Sequence, residues 1–138
     1  MPQYHVIREL GFEDGALSIG LEELLEGPPD GFVGLPLMVL PASRKYAVRI
    51  AGVGHFVVCP EPVFSFGSNA RKLTDFLYEE DDSALLAEYG WGAATFNLGH
   101  PRLVNREMRH FVVFADNFVV NVLSASEPTY SEVAKVGT

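Results

Sequence analysis

His100, Arg102, Arg106, Arg109 and His110 concentrate positive charge in one segment of a chain whose formal net charge is −8. Guanidinium forks grip carboxylates and phosphates through two parallel hydrogen bonds, so this segment is suited to an anionic or phosphorylated small molecule. The same arginines are equally served by internal pairing with Glu107 or with the acidic run elsewhere, and in an acidic protein that plainer reading comes first. Trp91, the only tryptophan, stands between Gly90 and Gly92. An indole there either anchors binding at an interface or lids the end of a helix. These six residues are the candidate ligand-binding set.

Other chemistry-bearing residues are less promising. Glu79-Glu80-Asp81-Asp82 is the densest charge run, but oxygen ligands for a metal are normally spaced at alternate positions around a glycine turn, and this run is contiguous. It is expected to be a solvated junction between two helices, with Asp82 as a cap. His55 and Cys59 lie on one predicted strand, roughly 13 Å apart along it, too far for a thiolate–imidazole pair. Cys59 is the only cysteine, so neither a disulfide within the chain nor a thiolate metal centre is available. Gly90 and Gly92 do not have the spacing of a nucleotide loop, and neither a Gly-x-Ser-x-Gly elbow nor a His-Glu-x-x-His helix occurs. No catalytic residue is assigned, no cofactor or metal is expected, and a binding role is expected in preference to catalysis.

The elements that would carry these residues follow from periodicity. The segment from His110 to Ser124 holds two β-branched and aromatic runs joined by Asp116-Asn117, residues that tolerate the positive φ of a primed hairpin turn. That turn sets Phe111 opposite Val122 and Val113 opposite Val120, with apolar residues on both faces of the ribbon. Tyr4 to Leu10 and Ala16 to Ile19 are predicted strands around Glu13-Asp14-Gly15. Leu21, Leu24 and Leu25 stand at helical spacing and predict a short helix ended by Gly27-Pro28-Pro29. Lys45 to Ile50 and His55 to Cys59 are predicted to form a second hairpin across Ala51-Gly52-Val53-Gly54. Asn69 is expected to cap a helix with Leu73, Phe76 and Leu77 facing inward, and Asp82 or Ser83 to cap another through Leu85, Leu86 and Tyr89. Ala93 to Leu98 returns to strand character.

A chain of 138 residues, 48% apolar and 20% charged, has the composition of one ordinary soluble domain able to bury a core. The expected fold is therefore a single α+β domain over residues 1–138, mainly antiparallel β-sheet with two or three short helices. A sequence pI near 4.9 argues against a nucleic-acid backbone or an anionic membrane as partner and for a basic protein. The first residues have neither a basic start nor an apolar run of signal length, and cytoplasmic residence is expected. The functional expectation is a non-catalytic binding or regulatory protein that masks a basic partner, as an immunity protein does. The alternative is a small-molecule-binding protein or enzyme with a His/Arg-lined pocket. Apolar surface on both faces of the 110–124 hairpin adds the expectation of a homodimer.

Overall fold

The computed structural model describes residues 4–27, 36–60, 70–81, 85 and 108–134. Asp14 and Gly15 take φ of 52° and 75°, both positive as a primed two-residue turn requires. They join β1 (Tyr4–Glu13) to β2 (Ala16–Glu26) in a long hairpin. β2 does not give way to a helix at Leu21. Leu17, Ile19, Leu21 and Glu23 are buried at period two while Ser18 is exposed, and β1 remains paired as far as Tyr4 opposite Leu24. A strand partner on each side overrides the helical spacing of the leucines, since β4 (Lys45–Ile50) pairs along the other edge of β2 from Leu17 to Glu22. β3 (Leu37–Met38), two exposed residues, adds at Leu25 and Glu26, and β10 (Thr129–Val133) closes this sheet against β4.

The second sheet holds β5 (Val53–Pro60), β6 (Ala70–Thr74), β7 (Leu77–Glu80), β8 (Arg109–Phe114) and β9 (Phe118–Ser124) in the order β5-β9-β8-β7-β6, all antiparallel. The expected helix after Asn69 is a hairpin. Asp75 and Phe76 connect β6 to β7, and the Lys72–Asp75 ion pair at 2.9 Å, a spacing a helix would also allow, spans the turn. The expected hairpin across Gly52 is also overturned, because β4 belongs to the first sheet and β5 to the second. Gly52, at φ 62°, is instead the corner where the chain changes sheets. The buried Ser124 hydroxyl donates to the Ala51 carbonyl at 2.6 Å there and accepts from the Ser126 N–H at 3.0 Å.

Every element among the described residues is thus a strand, which corrects the α+β expectation to an all-β arrangement of two antiparallel sheets. The expected helix at residues 82–89 and the strand at 93–98 lie outside the described residues, apart from Leu85. Leu17, Ile19, Leu21, Val48 and Ile50 of the first sheet form one buried cluster with Leu77, Phe111, Val113, Val120 and Val122 of the second. Burial of this much aliphatic surface between two pleated faces is the main stabilising term.

The 110–124 hairpin has the expected register, with Phe111 opposite Val122 and Val113 opposite Val120. The turn differs: neither Asp116 nor Asn117 has positive φ, so it is not primed. Asn117 instead spends its side chain on another strand. Its Oδ1 accepts from the Ile7 N–H and its Nδ2 donates to the Ile7 carbonyl, both at 2.9 Å. The Asp116 N–H donates to the His5 carbonyl at 2.8 Å. The hairpin tip of one sheet therefore clips the edge strand of the other.

Candidate functional site

The sequence-derived site residues fall into two groups. Trp91, His100, Arg102 and Arg106 lie outside the described residues; Arg109 and His110 begin β8. Successive strand residues point to opposite faces, so these two neighbours serve different clusters. Arg109 points to the inter-sheet side, where its Nε and Nη2 meet Glu79 Oε2 and Oε1 at 2.7 and 2.8 Å, with Glu127 at 3.5 Å and the Phe111 ring 5.0 Å below. Arg71 binds Glu79 from the far side. The two guanidinium groups hold the Glu79 carboxyl below the usual carboxylate range, hydrogen bonding from Arg109 being the first cause. Glu79 is buried in this cluster and is not part of a solvated helix junction.

His110 lies on the opposite face and is itself buried. Its Nε2 is 2.8 Å from Asn121 Oδ1 and its Nδ1 3.3 Å from Glu80 Oε2. Glu80, His110 and Asn121 come from three adjacent strands, β7, β8 and β9. Carboxylate and amide together fix the orientation of the imidazole ring. Cys59 stands opposite Val119, four residues along β9 from the Leu123 that faces His110. That separation is roughly 13 Å, so no thiol reaches the imidazole. Among the described residues no group of three His, Cys, Asp or Glu side chains is placed to hold a metal ion. Asn121 was the missed residue here, and it did carry a signal: it is the one amide within the apolar run Phe118-Val-Val-Asn-Val-Leu123.

A third cluster surrounds His5 on β1. Its ring meets Tyr46 at 5.4 Å and Phe76 at 5.1 Å between centroids, and its Nε2 is buried with no hydrogen-bond partner among the described residues. Burial lowers its pKa, with Glu23 and Asp75 pulling the other way. Glu23 is held by Arg44, whose Nη2 lies 2.8 Å from Oε2 and whose backbone N–H donates to Oε1 at 3.2 Å. This charged hydrogen bonding depresses the Glu23 carboxyl and allows a carboxylate to sit inside β2.

Three further cations follow the same pattern, whereas the exposed Arg49 belongs to no ion pair among the described residues. Lys45 and Arg8 converge on Glu22 at 3.5 and 3.8 Å, and Lys72 is on Asp75. Glu22 and Glu23 thus lie on a strand against these cations and Arg44. By contrast Glu9, Glu13 and Asp14 on the β1–β2 hairpin are exposed and belong to no ion pair among the described residues. Phe12 and Leu10 between them are exposed at 50% and 39%. On the outward face, Glu13, Asp14, Ser18 and Arg49 rim a shallow trough of about 590 Å³ over Gly11 and Ala16.

The same hairpin has an open backbone edge. A two-residue turn closes on a pair that exchanges both backbone hydrogen bonds, here Glu13 with Ala16. The backbone groups of Gly11 and Glu9 therefore point into β2, and those of Phe12 and Leu10 point away from it. The bulge between Ile7 and Glu9 reverses the alternation, so earlier in β1 it is Ile7 and His5 that face away, and these are the groups Asn117 and Asp116 meet. Leu10 and Phe12 have no such partner among the described residues. Beside this edge a cleft of about 270 Å³ is lined by Ile7, Arg8, Glu9, Leu10, Val58 and Phe118. No protein-family model, curated protein or solved structure matches the chain.

Proposed function

We propose that this protein is a non-catalytic binding module that covers a basic protein partner, and that the acidic β1–β2 hairpin is central to its contact surface. The observation that carries this reading is the distribution of charge. Arg8, Arg44, Lys45, Arg71, Lys72 and Arg109 are each engaged by a carboxylate of the chain itself, whereas Glu9, Glu13 and Asp14 are exposed and in no ion pair among the described residues, with Arg49 the one described Lys or Arg left unpaired beside them. In a chain of net charge −8, the hairpin thus presents an outward acidic excess that steers a cationic surface into contact. The engagement of Arg109 by Glu79 and Glu127, and of His110 by Glu80 and Asn121, favours this reading over a His/Arg-lined pocket for a small anion.

The test is a binding survey of the full chain against small basic proteins (cytochrome c and lysozyme), duplex DNA and anionic vesicles, each at about 20 and 300 mM salt. Binding confined to the basic proteins and weakened by salt supports the proposal. Binding to DNA or vesicles in preference overturns it. So does binding of inorganic phosphate that is lost in Arg102→Ala or Arg106→Ala, which would restore the anion pocket.

A further inference from the structure

We infer that the open edge of β1 is a strand-addition site for an extended segment of the partner in which apolar and cationic residues alternate; this rests on the proposed function above and names what that surface reads. Val58 stands opposite Val120 and Phe118 opposite Pro60, so both project from the same side of the second sheet as the core residue Val120. Yet they are exposed at 42% and 41%, because the first sheet ends at β1 and does not reach over them. Leu10, opposite the buried Ile19, projects inward from the other sheet and is left exposed in the same way. The cleft between them runs along a strand whose outward N–H and C=O groups at Leu10 and Phe12 have no partner among the described residues. One further strand, about 4.8 Å beyond β1, would take up those groups and cover this apolar floor.

The pleat dictates what that strand must contain. Residues opposite Leu10 and Phe12 would face inward onto Leu10, Val58 and Phe118, and must be apolar. Residues opposite Glu9, Gly11 and Glu13 would face outward, where Glu9 and Glu13 call for Lys or Arg directly across the pair. Gly11 presents no side chain, leaving room for a long residue between the two carboxylates. A second copy of this chain meets the opposite condition. Antiparallel pairing of two β1 edges about Gly11 would set Glu9 against Glu13 twice, which is repulsive.

The experiment uses the peptide Ac-Lys-Val-Lys-Val-Lys-NH2 and the full chain, with affinity read by fluorescence anisotropy. In the inferred pairing the valine amides point at β1 and the central lysine amide points to solvent. N-methylation of both valines should therefore cost about tenfold or more in affinity, and N-methylation of the central lysine should cost little. Val58→Lys, at a position already exposed, should cost a similar factor with the far-UV spectrum unchanged. Glu9→Lys with Glu13→Lys should reverse the preference toward Ac-Glu-Val-Glu-Val-Glu-NH2. Equal affinity of the two N-methyl isomers, equal binding of the block peptide Ac-Val-Val-Lys-Lys-Lys-NH2, or an unaffected Val58→Lys variant overturns the inference. A dimer in sedimentation that Val58→Lys dissociates also overturns it, in favour of a second copy. If the basic proteins bind and the peptide fails, only the strand-addition site falls; if neither binds, the proposed function falls with it.

Discussion

Removing the Asn117 amide should loosen the joint between the two sheets, and its size can be worked from the two hydrogen bonds it makes. Oδ1 and Nδ2 each meet the Ile7 backbone at 2.9 Å in a half-buried setting. A net worth of about 1 kcal/mol per bond gives about 2 kcal/mol for Asn117→Ala. The penalty stays in that range because water can reach the freed Ile7 groups through the neighbouring cleft, which Ile7 lines. With an m-value near 2 kcal/mol/M in urea, the unfolding midpoint should fall by about 1 M. Asn117→Asp is the sharper variant. It keeps the acceptor for the Ile7 N–H but sets a second carboxylate oxygen against the Ile7 carbonyl, so at neutral pH it should be at least as destabilising as alanine. Protonation restores a donor, which raises the carboxyl pKa in the folded state. The Asp variant should therefore recover stability relative to the Ala variant as pH falls through that raised value. Urea titrations followed by far-UV circular dichroism at pH 7 and pH 4 would read both effects. An Asn117→Ala midpoint within about 0.2 M of the parent, or an Asp variant parallel to Ala in pH, refutes the reasoning.

Two further outcomes follow from the same structure. Val120 is fully buried between the sheets, so Val120→Asp should cost about 3–5 kcal/mol for an unpaired buried carboxylate and leave the chain unfolded or nearly so; a melting temperature equal to the parent's would contradict this. His5 has its pKa lowered from the ordinary 6.5 by burial. The unfolded chain then binds more protons between the folded value and 6.5, so this group's contribution to stability is whole above pH 6.5 and is lost as pH falls through the folded value. His5→Phe, which keeps the ring against Tyr46 and Phe76, should flatten the parent's stability profile below pH 6.5, and identical profiles for the two proteins would remove His5 as the cause.

What could be read from the sequence was whatever depends on neighbours in the chain. The Phe111–Val122 register follows from alternation around a two-residue connection, and the turn at Asp14 and Gly15 from their residue types. The two helices expected over described residues were misread because their leucine spacing fits both periods. Leu21, Leu24 and Leu25 are resolved as a strand only by β1, β3 and β4 beside β2, and Leu77 by the pairing of β7 with β8. Those partners lie outside the segments themselves and leave no trace in their spacing. Arg109 and His110 were rightly read as neighbours in the chain, but the pleat sends them to opposite faces, one to Glu79 and the other to Glu80 and Asn121. The β1 edge was invisible for a different reason. It depends on a bulge, on the Asn117 clip and on where the first sheet stops, none of which is written in one segment.

The most direct test of the central claim, that the uncompensated acidity of the β1–β2 hairpin selects a basic protein partner, is the association rate with cytochrome c as a function of salt. Stopped-flow measurements on the parent and on a Glu13→Lys, Asp14→Lys variant would supply it. Outward acidic steering predicts a parent rate that falls steeply, about tenfold or more between 20 and 300 mM salt, with dissociation changing less, and a variant that associates slowly at every ionic strength. A parent rate indifferent to salt, or a variant that associates as fast as the parent, would contradict the claim.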